Sequence, residues 1–263
     1  FLLKLRACVL CGFSITQTSP REERREMADE PTGEARVKKR EGVINKVVKC
    51  GIVGDGTVGK SCLLMTYTMN GFVEDYIPTI FDNLSVIEEF EDGRLVNITL
   101  WDTAGQDDYA LFRTSTCYKN TDIFLVCFST VSPHSFQNVK QKWIPELQEH
   151  CPGVPFILVG TQTDRKNDPK VLEELGSQKP IDFKTGEKRA KEIKAVKYVE
   201  CTAKEIDTVT NVFRSACKYL LDVDDKRKQK VAKAAKKELA YEKKYEKRVQ
   251  KELEKQQKNE NKQ

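Results

Sequence analysis

Apolar residues cluster along this chain in short runs of strand length, separated by longer stretches in which they recur at helical spacing. The runs are VVKCGIV (47–53), NLSVIEEF (83–90), LVNITLW (95–101), IFLVCF (123–128), FILVG (156–160) and KYVEC (197–201). Between them, helical patterns begin at Gly59, Ser132 and Thr185, and a last one spans Val209 to Leu221. This alternation predicts an α/β fold, a largely parallel six-stranded sheet covered by helices on both faces. Asp92-Gly93 between two strand runs is a hairpin signal, so one strand is expected to be antiparallel. Ser132 followed by Pro133 reads as a capped helix start.

The pattern fades at both ends. Residues 12–42 are rich in charge, Pro, Gly and Thr without a period, which predicts a disordered extension over 1–43 ahead of an ordered domain over 44–222. The opening FLLKLRACVLCGF is apolar but broken by Lys4 and Arg6, well short of the about 20 residues of a membrane span. It reads as a poor signal peptide, a fragment of longer sequence or translated upstream sequence, and residues 1–26, ahead of the first methionine Met27, receive no function. After Asp222 the chain has no Gly or Pro and is full of helix formers. At about 100° per residue, Val231, Ala234, Ala235, Leu239, Tyr241, Tyr245, Val249 and Leu253 share one side, so 223–263 is expected to form a charged helical tail with a narrow apolar stripe.

Composition limits the partners. A chain of 263 residues at 39% hydrophobic content fills one core. The net charge of +5 comes from the end of the chain, where from Asp222 onward fifteen Lys and Arg face nine Asp and Glu, so no nucleic-acid-binding core is implied. Several of the nine cysteines, such as Cys50, Cys127 and Cys201, sit in apolar runs, as reduced cysteines of a cytosolic protein do. Cys8 and Cys11 have metal-ligand spacing, but no second pair follows and the only histidines are His134 and His150.

The chemistry starts at GDGTVGKS, residues 54–61, directly after the first strand run. Gly54 and Gly59 permit backbone angles that turn successive N–H groups toward phosphate oxygens, and the following helix adds its positive end. Lys60 would bridge the outer phosphates and Ser61 would give its hydroxyl to Mg²⁺. In VGTQTD (159–164), Asp164 emerges at the carboxyl end of a strand, where such sheets bind ligands. A carboxylate there accepts both N1–H and the 2-amino group of guanine, a pair that adenine lacks. In ECTAK (200–204), the Ala203 amide would meet the guanine carbonyl. WDTAGQ (101–106) offers Asp102 for a water on Mg²⁺, the Gly105 amide for a γ-phosphate and Gln106 to orient the attacking water. YIPTIFDN (76–83) contains Thr79, whose hydroxyl and amide would reach Mg²⁺ and the γ-phosphate.

Together, GDGTVGKS, YIPTIFDN, WDTAGQ, GTQTD and ECTAK resemble a Ras-superfamily small GTPase of the Rho family, on the Rac-like branch, over roughly residues 46–221. YIPTIFDN, Trp101, SPHSFQNVKQKW (132–143) and DRKNDPKVLEELGSQKPI (164–181) carry the Rho-family likeness. The resemblance implies a P-loop GTPase fold and a nucleotide site that takes in Asp55, Gly56, Thr57, Val58 and Cys62. It also implies Phe72 against the guanine ring, Tyr76 over the phosphates, and Thr161, Gln162, Thr202 and Lys204 around the base. Gln162 stands where most relatives have Lys, and Ser61 where the Rho family usually has Thr. Relatives end in a prenylated cysteine, whereas the last cysteine here is Cys217, so no lipid anchor is expected.

These expectations describe a slow GTPase that binds GTP or GDP with Mg²⁺ and signals through two loops to effectors, by resemblance cytoskeletal ones. An exchange factor and a GTPase-activating protein are the implied partners, the latter supplying an arginine in trans. A constitutively GTP-loaded scaffold with little turnover is the alternative. A module acting mainly through its tail is a third reading. The chain is expected in the cytoplasm or peripherally at the inner membrane face, with membrane contact weak and electrostatic at most because glutamates offset the tail's lysines.

Overall fold

The computed structural model describes residues 43–72, 83–103 and 110–260. Six strands, β1 (Ile44–Gly54), β2 (Asn83–Glu89), β3 (Leu95–Asp102), β4 (Ile123–Ser129), β5 (Phe156–Thr161) and β6 (Lys197–Glu200), form one sheet in the order β2-β3-β1-β4-β5-β6. All pairs are parallel except β2 with β3, the hairpin that Asp92-Gly93 turns. Each β run alternates its side chains between the two faces. On β4, Ile123, Leu125 and Cys127 enter one core while Phe124, Val126 and Phe128 enter the other, and all seven residues of the strand are buried. Cutting a side chain such as Leu125 to alanine therefore costs about 2–5 kcal/mol.

Among the described residues, seven α-helices accompany the sheet: α1 (Lys60–Met69), α2 (Ala110–Phe112), α3 (Pro133–Asn138), α4 (Ile144–His150), α5 (Pro169–Leu175), α6 (Phe183–Glu192) and α7 (Ile206–Glu260). The first core packs under α1 and the start of α7 (Leu63, Tyr67, Val212, Phe213), and the second under α3, α4, the turn between them and α6 (Phe136, Leu147, Trp143, Ala190). Ser132 caps α3 as expected, its hydroxyl accepting from the Ser135 amide with Pro133 in the first turn. Two π-helical turns interrupt the pattern, Arg113–Cys117 after α2 and Val139–Trp143 between α3 and α4. α6 starts two residues before the expected Thr185 because the Asp182 carboxylate caps it at the Thr185 amide, 2.6 Å away.

The last helix does not stop near Leu221. α7 continues to Glu260 as one element of 55 residues, because no Gly, Pro or cap intervenes after Asp222. Lys46 pairs with Asp224, and Arg94 with Asp225 at 3.0 Å, tying the exit of this helix to β1 and the hairpin. The seven cysteines among the described residues are all free thiols.

Candidate functional site

β1 ends where the sheet's strand order turns about it, and its last residue begins the glycine-rich loop. Gly54 sits at φ 149°, and a Cβ there would lie 2.3 Å from the Cys127 carbonyl oxygen of β4, so only glycine lets the two strands stay this close where the loop begins. Gly59 precedes α1 at φ 90° and offers no side-chain cap, leaving the helix's positive end without a side-chain acceptor. Lys60 is buried inside the loop. Its Nζ donates to the carbonyl oxygens of Gly54 at 2.8 Å and Asp55 at 2.7 Å. Burial lowers the Lys60 pKa, with the Asp102 carboxylate working the other way. Next to it the Ser61 hydroxyl donates to Asp102 Oδ2 at 2.6 Å, joining the start of α1 to the end of β3. A hydroxyl and a carboxylate side by side form an oxygen donor set of the kind Mg²⁺ takes, with phosphates completing its shell. Thr103, just past β3, is buried and donates to the Ile52 carbonyl at 2.5 Å.

Beside the loop opens a cavity of about 180 Å³. Gly59, Cys62 and Phe72 line one side of it, Thr161, Gln162 and Asp164 a second, and Thr202, Ala203 and Lys204 a third. Its lining thus joins three segments that are far apart in sequence, from Gly59 to Lys204. The Asp164 carboxylate accepts from the Thr202 hydroxyl at 2.8 Å and pairs with the Lys204 ammonium at 3.0 Å. Partial burial works to raise its pKa, but Thr202 and Lys204 outweigh it and hold the carboxyl below its ordinary value. Asp164 is thereby kept ionised as an acceptor. Thr161 is buried and fastens β5 to the loop, donating to the Val58 carbonyl at 2.5 Å and to that of Phe128 at 3.0 Å.

Gln162 bridges two elements rather than carrying a charge. At φ 58° it turns its amide so that Nε2 donates to the Thr57 carbonyl at 3.1 Å, while Oε1 accepts from the Ser129 hydroxyl at 2.6 Å. The phosphate loop is thus stitched to the ends of β4 and β5. Sequence reasoning missed Ser129, and also Trp143 and Asn138, which both donate to the Asp55 carboxylate. Their partner lies 83 and 88 residues away, a separation at which spacing carries no signal.

The expected residues fall into two groups. Asp55, Gly56, Thr57, Val58, Gly59, Lys60, Ser61, Cys62, Asp102 and the base-pocket residues converge at the carboxyl ends of β1, β3 and β5. Tyr76, Thr79, Gly105 and Gln106 lie outside the described residues. In comparison with known proteins, the family model described as "Ras: Ras family" matches residues 49–222.

Proposed function

Because the chain belongs to the Ras family, with the match covering more than half its length, we propose that it is a guanine-nucleotide switch of the Rho type, Rac-like, that hydrolyses GTP to GDP and signals to effectors. The fold is that of a P-loop GTPase, and the family is one of small GTP-binding switch proteins. The observation that carries the nucleotide assignment is the Asp164 carboxylate in a pocket that begins at Gly59, so that base and phosphates are read by adjoining walls of one site.

In this reading the Asp164 carboxylate accepts from guanine N1–H and the 2-amino group. Phe72 supplies an apolar surface for the ring, and the Ala203 amide meets the guanine carbonyl. The Lys60 ammonium, held between two loop carbonyls, would meet the β- and γ-phosphate charge, and its desolvation would strengthen that attraction. Ser61 and Asp102 would hold Mg²⁺, Asp102 through water, together with Thr79; the ion when bound neutralises charge on the outer phosphates. Gln106 orients the attacking water and the Gly105 amide receives the γ-phosphate. Thr79 and Gln106 belong to the loops that GTP orders and GDP releases, which is how effectors would read the bound nucleotide. An exchange factor and a GTPase-activating protein would set the two directions of the cycle, and cytoskeletal signalling is the role the Rho likeness supports. The place of action we propose is the cytoplasm, peripherally at the inner membrane face at most; among the described residues no helix is long and apolar enough to cross a membrane.

The test is the nucleotide itself. Protein purified in Mg²⁺ and then denatured should release one equivalent of GDP or GTP, identified by chromatography. Release of an adenine nucleotide, or of none even after incubation with GTP, would defeat the proposal.

A further inference from the structure

Asp55 is an acidic residue inside a loop whose other features favour anions. Its backbone carbonyl accepts from the buried Lys60 ammonium at 2.7 Å, so its main chain faces the phosphate side. A carboxylate free to follow would repel bound phosphates. Instead its side chain is tied to the helix that follows β4. Oδ1 accepts from the Trp143 indole Nε1 at 2.7 Å and Oδ2 from the Asn138 amide at 2.6 Å, with His134 Nδ1 3.9 Å from Oδ2. Trp143 is fully buried, and the Arg113 guanidinium lies 5.0 Å from the centroid of its ring. Arg113 is itself fully buried and makes two 2.8 Å bonds to the Glu146 carboxylate. Trp143 ends one π-turn and Arg113 opens another, so these two π-turns meet at this contact.

We propose, on the reading of the loop as a phosphate cradle, that Trp143 and Asn138 are positioning residues that hold the Asp55 carboxylate back from the phosphates, with the Arg113–Glu146 pair holding Trp143 in place. Neither residue lines the base pocket. Their effect therefore falls on phosphate binding and leaves recognition of the base alone. It acts through the charge of Asp55, so removing that charge removes the need for the restraint.

Competition against a fluorescent guanine nucleotide, with GDP and GMP as competitors, tests this. Trp143→Phe keeps a ring beside Arg113 and loses the N–H donor together with part of the buried ring volume, so a loss shared by GDP and GMP reads the cavity and a loss confined to GDP reads the donor. It should weaken GDP about tenfold, the loss of one charge-assisted hydrogen bond, and leave GMP within about twofold. Asn138→Ala, at a half-buried site outside the core, should act in the same direction. In the Asp55→Asn background Trp143→Phe should change GDP binding less than about twofold. Equal losses for GDP and GMP would mean general loosening and overturn the proposal, as would wild-type GDP affinity in both variants or an undiminished effect in the Asp55→Asn background. A wild-type protein that binds neither GDP nor GMP would instead overturn the nucleotide reading beneath it.

Discussion

The Ser61 hydroxyl and the Asp102 carboxylate, 41 residues apart in sequence, meet at 2.6 Å where α1 begins and β3 ends. Neither element alone brings the two oxygens together; the parallel pairing of β1 with β3, which sets Ile52 opposite Asp102, does, and on the proposed reading they would hold Mg²⁺. Chelating Mg²⁺ should therefore speed GDP release from the wild-type protein by an order of magnitude or more. In Asp102→Ala the outer ligand is gone, metal affinity should fall about 10–100-fold, and GDP should leave fast with or without chelator. A variant whose GDP release still slows on adding the same Mg²⁺ concentration as wild type would remove Asp102 from the ion site.

Asp164 is held ionised by Thr202 and Lys204, so it enters the pocket as an acceptor. Asp164→Asn puts an amide donor there, which suits the extra carbonyl of xanthine and leaves guanine's 2-amino group unmatched. Selectivity for GTP over XTP should invert, with GTP weakened by about 10²-fold or more. Direct competition between the two nucleotides reads this, and unchanged selectivity would dismiss Asp164 as the base reader.

Glu146 joins α4 to the first residue of a π-turn through the buried Arg113, and Tyr118 donates to the same carboxylate. Burial works to raise the Glu146 pKa, but the bonds from Arg113 and Tyr118 prevail and lower it. A carboxyl so depressed adds stability above its unfolded value, near 4.5, and loses it as pH falls through the folded value. Glu146→Gln takes the carboxylate charge away from the buried guanidinium and should cost about 3 kcal/mol at pH 7. The difference from wild type should narrow below about pH 4.5. Denaturant titrations at pH 7 and at pH 4 measure both, and a difference that widens in acid would reverse the assigned sign.

The sheet, its antiparallel edge and the phosphate loop were legible in the sequence because each is encoded locally, in period-two runs such as IFLVCF and in fixed spacings such as Gly54 to Lys60. The π-turns were not, since Val139–Trp143 reads as ordinary helix and the contact of Trp143 with Arg113 joins residues too far apart for spacing to signal. The tail shows a third case. Its helical character was plain from composition, but its fusion with the last domain helix depends on the absence of any stop signal at Leu221, a boundary that apolar periodicity alone suggested.

Beyond Asp225, residues 226–251 are exposed, so they add nothing to either core. Deleting 229–263 keeps Asp224 and Asp225 with their partners Lys46 and Arg94. Unfolding free energy and GDP affinity should then stay within about 0.5 kcal/mol of the full chain. The hydrodynamic radius should drop, because a 55-residue helix spans about 80 Å. A truncated protein that lost nucleotide would show the tail to be part of the domain's working structure.

On the proposed reading, this site turns GTP into GDP. Protein loaded with one equivalent of γ-labelled GTP, freed of excess and given Mg²⁺, should release labelled phosphate in a slow single turnover with first-order kinetics. Gln106→Leu, loaded to the same extent, should retain its GTP, both alone and with a GTPase-activating protein that accelerates the wild type. Wild-type protein that keeps its label intact over the same hours and in the presence of such a partner would contradict the account and support a GTP-loaded scaffold in its place.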